Sequence, residues 1–317
     1  MAGATQTAER SQRWATRRRA PKGPRLVGRS STGWAFVLPA VAVLVLLNTF
    51  PLVFSLALSF SRVDTSTGLS FGHLTLGNWN VLIHDSQFWN SVRFTIIFTV
   101  IAVAVEYIVG FILALLMRDK LAGAAAFRVL FAIPMMLAPV SIGFMWRMLY
   151  DQGNGPIDAV LRGLHLGSPG WLSDNHLAVV SVVIMDVWEW TPLMFLLLLA
   201  GLQAIPDEVI DAARIDGAGG VRIILQIIAP ILSQVSVMAI FLRMIDSFTV
   251  FGQIFLLTGG GPGTATTSTT LYAFFQGFQT FNLGYGATLS LALLVIVILV
   301  ATVFLSVSRR LLRRVET

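Results

Sequence analysis

The sequence contains no cysteine, which excludes a disulfide framework and a thiolate metal site. Charged residues are scarce, at 12% of the chain, whereas soluble domains carry about a quarter. The sequence also lacks a Gly-x-x-x-x-Gly-Lys-Ser/Thr phosphate loop, so it carries no ATPase site of its own. No set of nucleophile and base stands out, and the four histidines are scattered in polar segments. We therefore predict no catalytic residue, no metal site and no cofactor.

What the sequence has in abundance is long apolar segments, and 56% of its residues are hydrophobic. Several runs reach about 18 residues, enough for a helix to cross a hydrocarbon core of roughly 30 Å. We predict an all-α, polytopic membrane protein with six transmembrane helices. These spans are placed at about residues 35–60, 92–117, 128–149, 177–200, 229–257 and 284–307.

The lysines and arginines outside these spans are unevenly distributed. Residues 1–33 are rich in arginine, and we interpret them as a disordered basic cytoplasmic tail that contacts anionic lipid. The positive-inside rule then places both chain ends, including the tail at 311–317, and the segment 205–230 in the cytoplasm. The net charge of +6 thus reflects membrane orientation and does not indicate nucleic-acid binding.

The polar segment 205–230 has the pattern of a folded element. Pro206 suits the first turn of a helix, and the two acidic residues after it complement the positive helix end. Gly217 suits the helix end because glycine adopts the left-handed conformation without a Cβ clash. A second apolar segment then continues to Pro230. We predict a helix, a glycine turn and a second helix, a shape suited to docking into a groove on another protein. An ordinary amphipathic loop helix is the alternative.

This segment resembles the EAA loop of ABC-transporter permease subunits. It departs from the usual pattern at Asp211, where glutamate is usual, and at Ile224, where an aromatic residue is common. The resemblance implies that the loop inserts into a cleft on an ATPase and transmits its motion. The coupling residues that it implies are Asp211, Ala212, Ala213, Asp216, Gly217 and Pro230.

Further short patterns occur in order along the chain, at Pro134, Trp171, Leu172, Gly201 to Gln203, Thr258 to Pro262, Tyr272, Gly284 to Ala287 and Ser290. With these residues the resemblance extends over about residues 34–310 and is closest to carbohydrate permeases. It implies the maltose/glycerol-3-phosphate type of binding-protein-dependent sugar importer and the ABC importer type I permease fold. The implied partners are a second permease subunit in a heterodimer, an ATP-binding subunit dimer and an extracytoplasmic solute-binding protein. The implied location is the bacterial cytoplasmic (inner) membrane.

Ionisable residues inside spans are costly and mark functional candidates. On the fifth span, polar residues from Arg243 to Gln253 recur on one face at roughly 100° per residue. Carboxylates, amides and aromatic rings are groups that bind sugar hydroxyls and ring faces. Acids outnumber bases at this depth, which favours a neutral sugar or polyol over an anion. We predict a substrate pathway formed by Glu189, Trp190, Arg243, Asp246, Ser247 and Gln253.

Other interpretations of these residues stay open. Arg243 and the carboxylates can pair simply to hold helices together, and we favour that structural role for Glu106. The solute can instead be a polyol, glycerol-3-phosphate, a peptide or an amino acid, although the glycine-rich segment after Leu257 argues against peptides and amino acids. A proton-coupled secondary transporter with Glu106 or Asp186 in a relay is a further alternative; that class commonly shows a structural repeat, which we do not detect.

Overall fold

The computed structural model describes residues 31–64, 70–118 and 123–315. Nearly all of the basic tail predicted at 1–33 lies outside these ranges, as do the last two residues of the tail 311–317. The chain divides into two compact units after Val53, and each is described by itself. The described part of the first unit is an apolar helical segment, and the second unit contains all elements that follow it.

The described residues form twelve helices and one short ribbon. In chain order they are α1 (Ser31–Ser59), β1 (Ser61–Asp64), β2 (Ser70–Leu74), α2 (Gly77–His84), α3 (Ser86–Leu116), α4 (Ala124–Met136), α5 (Pro139–Leu149), α6 (Pro156–Gly163), α7 (Asn175–Gln203), α8 (Asp207–Ile215), α9 (Gly220–Phe248), α10 (Gly252–Leu257), α11 (Thr269–Phe274) and α12 (Leu283–Val315). A wider, π-helical turn lies within α9 at Ile224–Ile228, and another follows α11 at Phe275–Gln279.

Among the described residues, five helices are long and apolar enough to cross a membrane: α1, α3, α7, α9 and α12. Helices α4 and α5 make a sixth span if they are counted as one, and they meet at an angle of 96°. The structure therefore has the all-α, multi-span architecture predicted from the sequence. The ribbon β1–β2, which is antiparallel with Ser61 opposite Leu74, is a small addition that the apolar pattern did not predict.

The predicted span 128–149 is not one straight helix. Leu137 and Ala138 are extended, and α5 begins at Pro139. Proline disfavours the helical conformation in the residue before it, which accounts for the bend at this point.

The predicted span 229–257 also differs from the structure at both ends. Helix α9 begins earlier, at Gly220, and ends at Phe248. The chain then leaves the helical path, with Phe251 at φ −140° and ψ −65°, before α10 begins at Gly252. Threonine, valine, phenylalanine and glycine in this stretch all have weak helix propensity, so the interruption is locally inexpensive. We call residues 249–251 the helix break.

Helices α3 and α7 pack closely at the centre of the second unit. A Cβ atom on Gly110 of α3 would lie 2.9 Å from the backbone nitrogen of Phe195 on α7. The missing side chain therefore allows the two backbones to approach, as small residues do between membrane helices. Buried side chains at this contact include Val103, Met194, Leu198 and Leu202.

Asp85 connects the start of α3 to two later helices. Its carboxylate accepts hydrogen bonds from the first amides of α3, at Gln87 (2.9 Å) and Phe88 (3.3 Å), and from the hydroxyls of Tyr272 (2.6 Å) and Tyr285. Burial raises the pKa of this carboxyl, but the two tyrosine hydroxyls and the helix amides together hold the pKa below its usual value. The ionised Asp85 thus joins α3 to α11 and α12.

Candidate functional site

Residues 205–230, the predicted coupling segment, contain α8, the turn at Gly217 and the start of α9, which is the helix–glycine–helix form predicted from the sequence. Gly217 lies at φ +78°, so its predicted left-handed conformation is confirmed. The Gly217 N–H donates to Arg214 O (3.0 Å), and the Ala218 N–H donates to Ala213 O (2.9 Å). This pair of bonds is the Schellman arrangement, which satisfies the last carbonyls of a helix. The turn therefore sets the direction in which α8 leaves the bundle.

Helix α8 has a buried face and an exposed face. Ile210 and Ala213 pack into the same apolar cluster as Leu202 and Ile223. The side chain of Ile215 is 86% exposed although it is apolar. Of the six predicted coupling residues, Ala213 is buried and Pro230 is half-buried in α9, whereas Asp211, Ala212, Asp216 and Gly217 are exposed.

Pro230 lies directly after the wider turn of α9. A proline has no N–H and its ring displaces the carbonyl four residues earlier, so it disturbs a regular helix. Here the preceding turn widens, and the Ala229 N–H donates to Ile224 O five residues back. As a result α9 continues without interruption from the coupling segment to Phe248.

A buried charged cluster lies deep in the bundle, where Arg243 of α9 faces three carboxylates. Its guanidinium donates to both oxygens of Glu106, at 2.9 and 3.1 Å, and also to Asp186 and to Asp246 (2.8 Å). The side chains of Arg243, Glu106 and Asp186 are at most 1% exposed, whereas Asp246 is 49% exposed. The cluster joins α3, α7 and α9, and the contact between Glu106 and Arg243 is the pairing on which the structural interpretation of Glu106 depends.

A second polar contact joins α7 to α10. The side-chain amide of Gln253 donates to both carboxylate oxygens of Glu189, at 3.2 and 3.0 Å. The neighbouring Trp190 lies with its ring centroid 4.9 Å from the guanidinium carbon of Arg243, which is a cation–π contact. Carboxylate, amide, cation and aromatic ring thus converge on one region.

Trp190, Arg243 and Gln253 line a cavity of about 190 Å³ at the helix break, which we call the break cavity. Four of the six predicted pathway residues line it, namely Trp190, Arg243, Asp246 and Gln253. Glu189 is not among its lining residues but holds Gln253, and Ser247 lies outside the lining with its side chain buried. The remaining lining residues are Pro139, Asp186, Thr249, Val250, Phe251 and Gly252.

The interpretation of a continuous polar face from Arg243 to Gln253 is wrong, because α9 ends at Phe248. Thr249 and Gln253 reach the break cavity through the non-helical turn and not through helical periodicity. Pro139 was missed altogether, since no local pattern links the start of α5 to this site. A larger, mainly apolar cavity of about 680 Å³ lies on the other side of the break and shares Thr249 and Phe251 with the first.

Residues 106–317 match the family model described as the binding-protein-dependent transport system inner membrane component. The chain belongs to this family. The matched region begins at Glu106 and contains the rest of the charged cluster, the helix break and the coupling segment. The permease is therefore a transport subunit and not an enzyme. Membership of a binding-protein-dependent family also argues against the secondary-transporter alternative.

Two relatives of the permease carry names of sugar transport systems. The trehalose/maltose transport system permease protein MalF of Thermococcus litoralis is 34% identical over 277 residues, which cover 87% of this chain and 93% of the relative. The trehalose transport system permease protein SugA of Mycobacterium tuberculosis is 30% identical over 294 residues, with 93% and 94% coverage. Both relatives match the permease over almost their whole length.

A solved structure of similar fold is the bacterial ABC transporter involved in the import of the acidic polysaccharide alginate. Its matching chain superposes with a TM-score of 0.77 at 16% identity, covering 88% of the permease and 95% of that chain. The permease therefore has the ABC importer permease fold.

Proposed function

We propose that this permease forms part of the translocation pathway of an ATP-driven, binding-protein-dependent importer for a neutral sugar or polyol. The observation that carries the proposal is the break cavity, where an aromatic ring lies beside carboxylates and an amide. Small-molecule sites combine apolar or aromatic walls with a few placed polar groups in this way. One cation against three carboxylates in the charged cluster disfavours an anionic solute. The names of the trehalose/maltose and trehalose permeases that are similar to this chain support a sugar as the substrate class.

The permease acts in this proposal with a second permease subunit, an ATP-binding subunit dimer and an extracytoplasmic solute-binding protein. The exposed face of α8, with Asp211, Ala212 and Asp216, is the surface offered to the ATP-binding subunit. The exposed apolar side chains of Ile215 and Val221 support this role, because isolated large apolar groups at a helix end suit burial in a partner's groove.

Substitution of Trp190 by alanine tests the proposed sugar site. We expect uptake to fall and the preference among competing sugars to change, because a wall of the break cavity is lost. We expect Gln253→Ala to lower uptake and change sugar preference in the same way. Each lost contact with the sugar is worth about 1–3 kcal/mol, or roughly ten- to a hundredfold in affinity. The measurement is uptake of single and competing radiolabelled sugars, each at saturating binding protein.

Trp188→Ala is the matched control. Trp188 lies on the same helix, but its ring packs edge-on against Trp146 (5.7 Å) and does not line the break cavity. We expect Trp188→Ala to keep the sugar preference of the native permease. Equal preferences in the Trp188, Trp190 and Gln253 variants would place the pathway elsewhere.

The proposal also places both chain ends and the coupling segment in the cytoplasm, on the basis of the arginine distribution. Because the chain has no cysteine, single cysteines can report on this orientation. The reporter position must be exposed. Thr266, in the glycine-rich segment after α10, does not qualify because its side chain is buried and hydrogen-bonded to Thr258 and Gly261. A cysteine at the exposed Thr264 should react with an impermeant thiol reagent in intact cells, whereas one at Ile215 should not.

The control for this experiment is a permease expressed without its ATP-binding subunit. The cysteine at Ile215 should then react once the cells are permeabilised, which shows that the position is reactive when reached. If Ile215→Cys reacts in intact cells and Thr264→Cys does not, the orientation of the permease is opposite to the one proposed.

A further inference from the structure

The helix break lies at the end of α9, a helix long and apolar enough to cross a membrane, and its backbone carbonyls leave the helical hydrogen-bond pattern. A carbonyl without a donor is costly inside a membrane, because hydrocarbon offers no water to replace the lost bond. Two of the carbonyls receive side-chain hydroxyls from a distant segment: Ser268 Oγ donates to Val250 O (3.0 Å), and Thr270 Oγ1 approaches Phe248 O (3.4 Å). The helix break is thus stabilised by side chains at the start of α11, beyond the loop that follows α10.

The Ser268 hydroxyl both donates and accepts a hydrogen bond. While it donates to Val250 O, its oxygen accepts the Leu271 N–H (3.2 Å) and so caps the start of α11. The side chain is fully buried. The next residue, Thr269, donates its N–H to Thr95 Oγ1 on α3 (3.0 Å), which anchors the segment to the helix that carries Glu106. The Ser268 hydroxyl is therefore anchored to α3 through its neighbour Thr269 while it binds the carbonyl of Val250.

The conformation at Val250 decides which side chains reach the break cavity. Thr249, Val250 and Phe251 line the cavity, and the chain then turns into α10, where Gln253 meets Glu189. A helical path through the break would carry these residues onto other faces, since each residue of a helix rotates by about 100°. The bond to Val250 O opposes that path.

We propose that Ser268 is a positioning residue for the substrate site, acting through the carbonyl of Val250. This inference rests on the proposed function, because it assumes that the break cavity holds the sugar. Ser268 itself does not line the cavity. It acts by fixing the non-helical turn that brings Thr249, Phe251 and Gln253 to the cavity.

Thr267 provides a matched control. Its side chain is also buried, at 3% exposure, and its hydroxyl also donates to a carbonyl at 3.0 Å. The acceptor, however, is Gly260 within the loop and not the helix break. Thr267→Val and Ser268→Ala thus each remove one buried hydroxyl from adjacent positions, but only Ser268→Ala releases Val250.

The test uses the assembled transporter with a single cysteine at Thr249, a position that is exposed at the break. The readout is the rate of labelling by a small methanethiosulfonate reagent. We expect Ser268→Ala, which removes the bond to Val250 O together with the cap on α11, to change this rate on the order of tenfold, while Thr267→Val leaves it within about twofold. Ser268→Thr, which keeps the hydroxyl, should restore the rate, and Thr270→Val should give a smaller shift because its bond is longer.

Sugar preference is measured in parallel on the same variants without the cysteine. A labelling shift and a changed preference in Ser268→Ala, both rescued by Ser268→Thr, support the positioning role. Equal labelling rates in Ser268→Ala and Thr267→Val would overturn the role of Ser268, whatever the transport data show. A labelling shift with an unchanged sugar preference would instead overturn the break cavity as the sugar site, and with it the positioning role.

Discussion

Substitution of Arg243 by alanine is expected to remove most of the folded permease from the membrane. The substitution leaves Glu106 and Asp186 buried together without their shared cation. Removing one partner of a buried ion pair typically costs about 3–5 kcal/mol, a large part of the stability of an ordinary domain. The measurement is the amount of inserted, detergent-soluble permease and its melting temperature.

Arg147→Ala is the control for this experiment. Arg147 is exposed on α5 and makes one bond of 3.3 Å, to the carbonyl of Leu256. Its loss should change the melting temperature little, because exposed polar contacts contribute weakly. Addition of Glu106→Gln to Arg243→Ala should recover part of the folded protein, since one uncompensated carboxylate is then removed. If Arg243→Ala matches Arg147→Ala in both abundance and melting temperature, the charged cluster does not hold α3, α7 and α9 together.

Gly217→Val is expected to abolish ATP-driven uptake while the permease inserts normally. An added Cβ at Gly217 meets nothing within 4 Å, so the substitution causes no steric clash with other parts of the chain. The cost comes from the backbone alone, because a β-branched residue at φ +78° is strained by about 1–3 kcal/mol. That strain is relieved when the two bonds of the Schellman turn break, and α8 then loses its direction relative to the bundle.

Gly219→Val separates backbone strain from the mere addition of a side chain. Gly219 lies two residues further along, also has open space around its Cβ position, and adopts φ −70°. We expect its valine variant to transport close to the native rate. Uptake and substrate-stimulated ATP hydrolysis are measured for both variants at equal expression. Equal uptake by the two would show that the direction of α8 is not needed for coupling.

The turn at Gly217 could be predicted from sequence because its causes are local. A glycine directly after an amphipathic segment, with acidic residues at the opposite end, is enough to predict a helix and its left-handed end. The bend before Pro139 has a similarly local cause, yet hydropathy alone merged α4 and α5 into one straight span. Helix ends can therefore be predicted from local sequence when the glycine or proline that causes each end is taken into account.

The charged cluster and the helix break have causes that are distant in sequence. Arg243 and Glu106 are 137 residues apart, so their types and depths indicate a pairing but not its geometry. The break looks helical by periodicity, and the hydroxyl that stabilises it comes from Ser268, 18 residues after Val250. The hydrophobic periodicity of one segment carries no information about a hydrogen-bond donor that comes from a distant segment.

The continuity of α9 has a mechanical consequence. A helix of its length is about 43 Å long, and one end starts at the coupling segment while the other ends at the helix break. If such a rod pivots by about 5°, its far end moves by nearly 4 Å, which exceeds the length of a hydrogen bond. The wider turn at Ile224–Ile228 lies close to the coupling end, so 20 residues of regular helix, about 30 Å, lie between this turn and the helix break. If the proposed coupling through α8 holds, one helix connects the surface offered to the ATP-binding subunit with both Arg243 and the start of the helix break.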